Sequence, residues 1–208
     1  MPEEHDRLSP EQLPERPVGL FYAWWRGDEL PPLPRTAHVI VEHDPSAAVI
    51  RQVVDLTDAQ IRQRYSEGNR ALVARVDGVP AGIGWASTGR VEIGELGLDF
   101  NLPRGNCYLW DFVTLPEWRG RGIYTTLLQS FLRERAEAIQ RFWIGHDLGN
   151  DASARGILRA GFQVVGEVYA VPGVGPVYVA SPGMDIERAR AAAELLGIPI
   201  LELEGPGV

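Results

Sequence analysis

The 208-residue sequence contains no lysine; all 20 of its basic residues are arginine. That excludes a Walker-type phosphate loop and Schiff-base chemistry, because both need an ammonium-bearing side chain. There is one cysteine, Cys107, so an internal disulfide framework and a cysteine-rich metal site are both excluded. The four histidines, His5, His38, His43 and His146, are scattered and form no HExxH or other close ligand pair. No metal site is therefore expected. No apolar run approaches the roughly 20 residues that span a bilayer. The start, Met1-Pro2-Glu3-Glu4, has neither a basic segment nor an apolar one. The expected location is the cytoplasm, without a signal peptide or a membrane anchor.

What is present fits a folded domain. Hydrophobic residues make up 45% and charged residues 23%, and the net charge is -8. An acidic chain is a poor match for a phosphate polyanion, so nucleic acid is not an expected partner. Residues 1–36 differ from the rest. They hold seven prolines and the aromatic cluster Phe21-Tyr22-Ala23-Trp24-Trp25. They read as an N-terminal extension whose aromatic part docks on the domain, because two adjacent tryptophans in water would leave a large apolar surface exposed.

From Ala37 the pattern is regular. Strands are expected at 37–42, 71–76, 80–86, 91–100, 108–115, 141–146, 162–171 and 177–180. Helices are expected at 47–54, from the Thr57-Asp58-Ala59-Gln60 capping box to Gly68, and at 122–139, 151–160 and 185–196. Asp77-Gly78 is a hairpin turn. In the long helix, Thr125, Gln129, Arg133 and Glu137 fall on the wet side. The fold class is α/β with a mixed sheet. Residues 37–180 form the main domain, and 181–208 a C-terminal helix and tail.

The chemistry concentrates where a strand, 108–115, runs into Pro116-Glu117-Trp118-Arg119-Gly120-Arg121-Gly122-Ile123-Tyr124 and then a long helix. The first N–H groups of a helix lack intrahelical partners, and its dipole favours negative charge there. Two glycines allow close backbone approach to a phosphate, and two arginines supply forked donors. A third glycine of a dinucleotide fingerprint would fall at Thr125, where it is absent.

Downstream stands Asn150-Asp151-Ala152-Ser153-Ala154-Arg155-Gly156-Ile157-Leu158-Arg159-Ala160-Gly161-Phe162. With these two segments in this order, residues 37–180 resemble the GNAT superfamily of acyl-CoA-dependent N-acetyltransferases. Arg119 and Gly122 match the R/Q-x-x-G-x-G/A motif, and Asn150, Gly161 and Phe162 match the family's later strand and helix. The resemblance implies a GNAT-like fold with a splayed central sheet and acetyl-CoA as acyl donor. It implies backbone pairing of Phe112, Val113 and Thr114 with the pantetheine arm. The pyrophosphate would be cradled by Arg119, Gly120, Arg121, Gly122, Ile123 and Tyr124, and Asn150 and Ser153 would bond the far side of the cofactor.

The sequence also departs from the family. Tyr124 stands where a small residue is usual, Ile157 where many members have a tyrosine acid, and Gly145 where some have a glutamate base. The catalytic candidates are therefore Asp111, as base or cation holder, and Tyr124, as substitute acid. His146 and Cys107 read as core residues. The expected activity is acetyl transfer to a primary amine of a small molecule or peptide, with no membrane partner and a homodimer left open. The alternative is an acyl-CoA-binding module without catalysis.

Overall fold

The computed structural model describes residues 9–33, 39–135 and 137–203. Of the expected first strand, Ala37 and His38 lie outside these residues, as does His5. Eleven strands are found among the described residues: β1 (Gly19–Trp25), β2 (Val39–His43), β3 (Arg70–Val76), β4 (Val79–Ser87), β5 (Arg90–Ile93), β6 (Leu98–Asn101), β7 (Asn106–Thr114), β8 (Arg141–Asp147), β9 (Gln163–Val171), β10 (Gly175–Ala180) and β11 (Ile200–Glu202). The helices are α1 (Ala47–Ile50), α2 (Asp58–Ser66), α3 (Ile123–Arg135), α4 (Asp151–Arg159) and α5 (Ile186–Leu196).

Nine strands form one sheet in the order β11-β10-β9-β1-β8-β7-β4-β3-β2. β7 and β8 are parallel, as are β10 and β11, and the other pairs are antiparallel. The mixed α/β architecture expected from the sequence is present. Alternation along the strands separates two faces. Tyr22, Trp24, Leu72, Ala74, Phe142 and Ile144 pack with α3 and α4 on one face. On the other face, α5 packs with Phe21, Trp143 and Tyr178, and α1 and α2 pack with Val73, Ile83 and Trp85.

The aromatic segment occupies an interior place. β1 lies between β8 and β9 and is hydrogen-bonded to both. A run of large aromatic residues suits that position, because both faces of an interior strand are covered. Residues 19–25 are thus part of the same sheet as the main domain.

Two further differences from the sequence reading have clear causes. The stretch expected as one strand, 91–100, is the separate hairpin β5–β6. Residues Gly94–Leu96 turn the chain there, and Gly97 sits at φ 63°, a conformation glycine adopts without cost. Thr125 and Gln129 of α3 are buried rather than wet. The adjoining segments cover them and satisfy them: Gln129 Nε2 donates to the carbonyls of Pro31 (2.8 Å) and Ala160 (3.3 Å). By contrast, the capping box forms as expected, with the Thr57 hydroxyl accepting from the Gln60 amide.

Candidate functional site

β7 and β8 pair only over Asn106–Tyr108 and Arg141–Trp143. Beyond that point the strands part. β7 continues against β4, from Leu109↔Ala86 to Thr114↔Gly82, with a register shift opposite Gly84. At the shift Asp111 adopts φ 50°, which aspartate tolerates better than most residues. The bulge sends the Phe112 ring across Gly84, where a Cβ would come within 2.1 Å of it. The second edge of β7 is left free to pair with an extended ligand.

The gap opens into a cleft of about 820 Å³. Its walls include Leu109, Asp111, Phe112, Tyr124, His146 and Asn150. Of the residues expected to hold a cofactor, Phe112, Tyr124, Asn150 and Ser153 are on its walls, and Val113, Thr114, Arg119, Gly120, Arg121, Gly122 and Ile123 are not; Gly120 and Gly122, at φ 73° and 76°, stand before the first turn of α3. A Cβ on Gly120 would meet nothing within 4 Å, so this turn faces open space. The Arg119 Nε donates to the Thr114 carbonyl at 3.2 Å, and the Arg121 guanidinium stacks on Trp118 at 4.8 Å. An open strand edge can pair with an extended ligand, and a helix N-terminus can bind an anion.

Tyr124 is fitted into the site by a second sequence feature. Its ring lies on Gly156 of α4, where a Cβ would come within 2.4 Å, and edge-on to Phe112 at 5.3 Å. Its hydroxyl lies 3.0 Å from Ser153 Oγ. Burial pushes the phenol up to about 12, against the lowering effect of Ser153. At neutral pH Tyr124 therefore holds its proton and is available as a donor. Asn150 caps α4, its Oδ1 accepting from the Ser153 amide at 3.1 Å, and both residues line the cleft.

Asp111 is held by Arg64, whose Nη1 donates to Oδ2 at 2.6 Å. Arg64 comes from α2 and stacks on Trp110 (4.5 Å) and Trp85 (4.9 Å). The carboxylate side chain keeps about a third of its surface exposed. Nothing in the spacing of the sequence pairs residues 64 and 111; the contact exists because α2 packs over the β4–β7 ladder.

His146 shares the Phe142–Ile144 face, as its parity indicates, but it stands on the cleft wall and is only half-buried. Its Nδ1 is 2.7 Å from the Asp147 carbonyl, which can only accept, so Nδ1 carries the proton. Nε2 then accepts from the Tyr22 hydroxyl at 2.8 Å. Tyr22 reaches this place only because β1 is inserted beside β8, and no local motif marks it. Cys107 is fully buried and its thiol is pushed up to about 12 by that burial, so it supplies no thiolate at neutral pH. Ile157 is fully buried, and a Cβ on Gly145 would lie 3.3 Å from Phe21 and 3.5 Å from the Tyr108 hydroxyl. Among the described residues no group of three or more His, Cys, Asp and Glu is placed to hold a metal, and no helix is long and apolar enough to cross a membrane.

The splayed β7–β8 pair and the first turn of α3 frame one cleft in a mixed α/β fold. The chain belongs to the acetyltransferase (GNAT) family, whose model matches residues 4–162. No curated protein matches the chain. Among solved structures it is similar to a GCN5-related N-acetyltransferase from Sphaerobacter thermophilus, at 19% identity and a TM-score of 0.51, covering 74% of this chain and 50% of that one. It is also similar to a GCN5-related N-acetyltransferase from Kribbella flavida, at 20% identity and a TM-score of 0.47, covering 73% of this chain and 55% of that one. The match therefore spans about half the length of these relatives. A third, AAC(6')-Iy in complex with a bisubstrate analogue, shares 18% identity at a TM-score of 0.47, covering 61% of this chain and 92% of that one.

Proposed function

We propose that this protein moves an acetyl group from acetyl-CoA to a primary amine of a small molecule or peptide by direct attack. The observation that supports this reading is the parting of β7 from β8, which leaves a free strand edge at a cleft that Tyr124, in the first turn of α3, also lines. Bound acetyl-CoA would supply an activated acyl carbon and a thiolate leaving group. The backbone of Phe112, Val113 and Thr114 would hold the extended arm. The amides from Gly120 to Tyr124 would hold the phosphates, the Arg119 amide being taken by the Pro116 carbonyl at 3.3 Å, with Asn150 and Ser153 on the cleft wall.

In the reaction the amine nitrogen bonds to the acyl carbon, the carbon–sulfur bond breaks, and one proton passes from nitrogen to sulfur. Tyr124, protonated at neutral pH, is the donor to sulfur. Asp111 holds the ammonium form of the acceptor and takes its extra proton, directly or through a water, so that the neutral amine attacks; its pairing with Arg64 fixes where that carboxylate points. A positioned acid contributes about 10²–10⁴-fold.

The second reading, an acyl-CoA-binding module without catalysis, is favoured by one observation. The position that commonly holds a tyrosine acid in this family is Ile157, fully buried. Thiol release decides between the two. Acetyl-CoA is incubated with the protein and a panel of primary amines, and free CoA thiol is read. Because the chain has no lysine, lysine self-acetylation adds no background. Release above hydrolysis supports the transferase; none, with CoA still bound, supports the module. Binding is read separately. CoA at a hundred times its dissociation constant stabilises the fold by about 2.7 kcal/mol, and Gly122→Val removes that shift.

A further inference from the structure

We propose that the small cavity beside Trp110 seats the far arm of the acceptor, and that this arm carries a hydroxyl or amide group on an otherwise cationic amine. This rests on the transferase reading above and names the substrate class. The cavity, about 390 Å³, lies between the end of α2, the end of β4 and the β5–β6 hairpin. It adjoins the main cleft: Trp110, Glu92 and Gly94 belong to the walls of both. An amine reacting near Asp111 therefore has a path over Trp110 into this space.

The walls hold polar groups that the protein leaves unpaired. Asn69 is 5% exposed, and its Oδ1 has no hydrogen-bond partner. The Trp110 Nε1 is also inaccessible and without a partner, and so is the Nε1 of Trp85, stacked 6.2 Å from Trp110. Six such atoms occur among the described residues, and two of them, on Asn69 and Trp110, belong to the walls of this one cavity. Unpaired buried polar groups are uncommon and call for a partner. Asn69 Oδ1 needs a donor and Trp110 Nε1 an acceptor. A hydroxyl or a primary amide offers both; a hydrocarbon offers neither, and a carboxylate only accepts.

The charges on the walls decide the rest. Arg90 is paired with Asp99, and Arg64 with Asp111. Glu67 is bonded only to the neutral Gln63 amide, and neither it nor Glu92 has an ion-pair partner among the described residues. The cavity is therefore net negative, which favours a cationic acceptor and repels an anionic one.

The test measures kcat/KM for four primary amines of equal chain length: n-hexylamine, its ω-alcohol, its ω-amide and its ω-carboxylate. The alcohol and the amide are expected to exceed hexylamine by tenfold or more, since a site with polar groups to satisfy discriminates strongly against an analogue lacking them. The carboxylate is expected to fall below hexylamine. In Trp110→Phe and in Asn69→Leu the preference collapses to within about twofold. Trp110→Phe keeps an aromatic ring over Arg64 and serves if Asn69→Leu does not fold. Equal rates for all four amines, or a preference that survives both substitutions, overturn the proposal; trapped water alone would then account for the polar atoms. If no amine releases thiol, the transferase reading fails instead. Calorimetric binding of the amide against hexylamine to the CoA-saturated protein then decides this inference on its own, with equal affinities overturning it.

Discussion

Tyr124 and Gly156 act as a pair. A bulky ring at the cofactor turn needs a floor without a side chain, and Gly156 provides it 32 residues later in the chain. The ring is fixed by Gly156 below, Phe112 at its edge and Ser153 at its hydroxyl. Tyr124→Phe removes only the proton donor and keeps this packing. It is expected to lower turnover tenfold or more while CoA affinity, read by calorimetry, stays nearly constant. The phenol is raised to about 12, so its loss removes no ionisation below about pH 11, and the pH profile of the remaining activity should keep its shape there. Asp111→Asn tests the other candidate. It removes the charge that holds the ammonium and takes its proton, and weakens the Arg64 pair, so KM for the amine should rise and kcat should fall.

At the scale of elements, β1 and α5 are joined by one part-buried ion pair. Arg188 of α5 donates to both oxygens of Asp28 at 2.6 and 2.7 Å, just beyond β1, and lies over the Trp25 ring at 4.8 Å. Burial alone would raise the Asp28 carboxyl. The Arg188 hydrogen bonds and the Trp25 amide outweigh it and hold the carboxyl below its ordinary value. A lowered folded value means that the pair's contribution is complete above the ordinary aspartate range, about pH 4. It is lost as pH falls through the lowered value. Asp28→Asn removes the two-pronged partner of Arg188 and leaves it only Asp185, whose Oδ2 accepts from Nε at 3.1 Å. The expected cost is about 1–2 kcal/mol, seen as a fall of about 2–8 °C in melting temperature for a chain of this size. The deficit should shrink below pH 4, where the native aspartate is itself losing its charge.

At the scale of the whole molecule, β1 completes the sheet. Without it, β8 and β9 each lose a ladder partner, and Trp24, packed on Phe142, and Phe21, packed on Trp143, leave the cores of both faces. A chain lacking residues 1–25 is therefore expected to lose its cooperative thermal transition in circular dichroism. A chain lacking only residues 1–8 is expected to keep it. A docked extension would give the opposite result for the longer deletion, with the transition preserved. The same deletion also removes Tyr22, the partner of His146 in the cleft, so stability and site geometry depend on the same strand.

What the sequence determined by itself was local. Helical spacing placed α3 and α5, the capping box placed α2, and Asp77-Gly78 placed the β3–β4 turn, because each depends on residues a few positions apart. The Arg119–Gly122 turn and the Asn150–Phe162 segment were legible for the same reason, and through them the family. The tertiary structure decided what depends on residues far apart in the chain. It inserted β1 between β8 and β9, because a strand with aromatics on both faces is best covered in the interior of a sheet. It covered the polar side of α3 with the adjoining segments, so that Gln129 is buried against carbonyls instead of wet. It set Arg64 on Asp111 and Tyr22 on His146, contacts between residues 47 and 124 positions apart. No period or local motif specifies such pairs; they arise only when the packed layers bring their elements together.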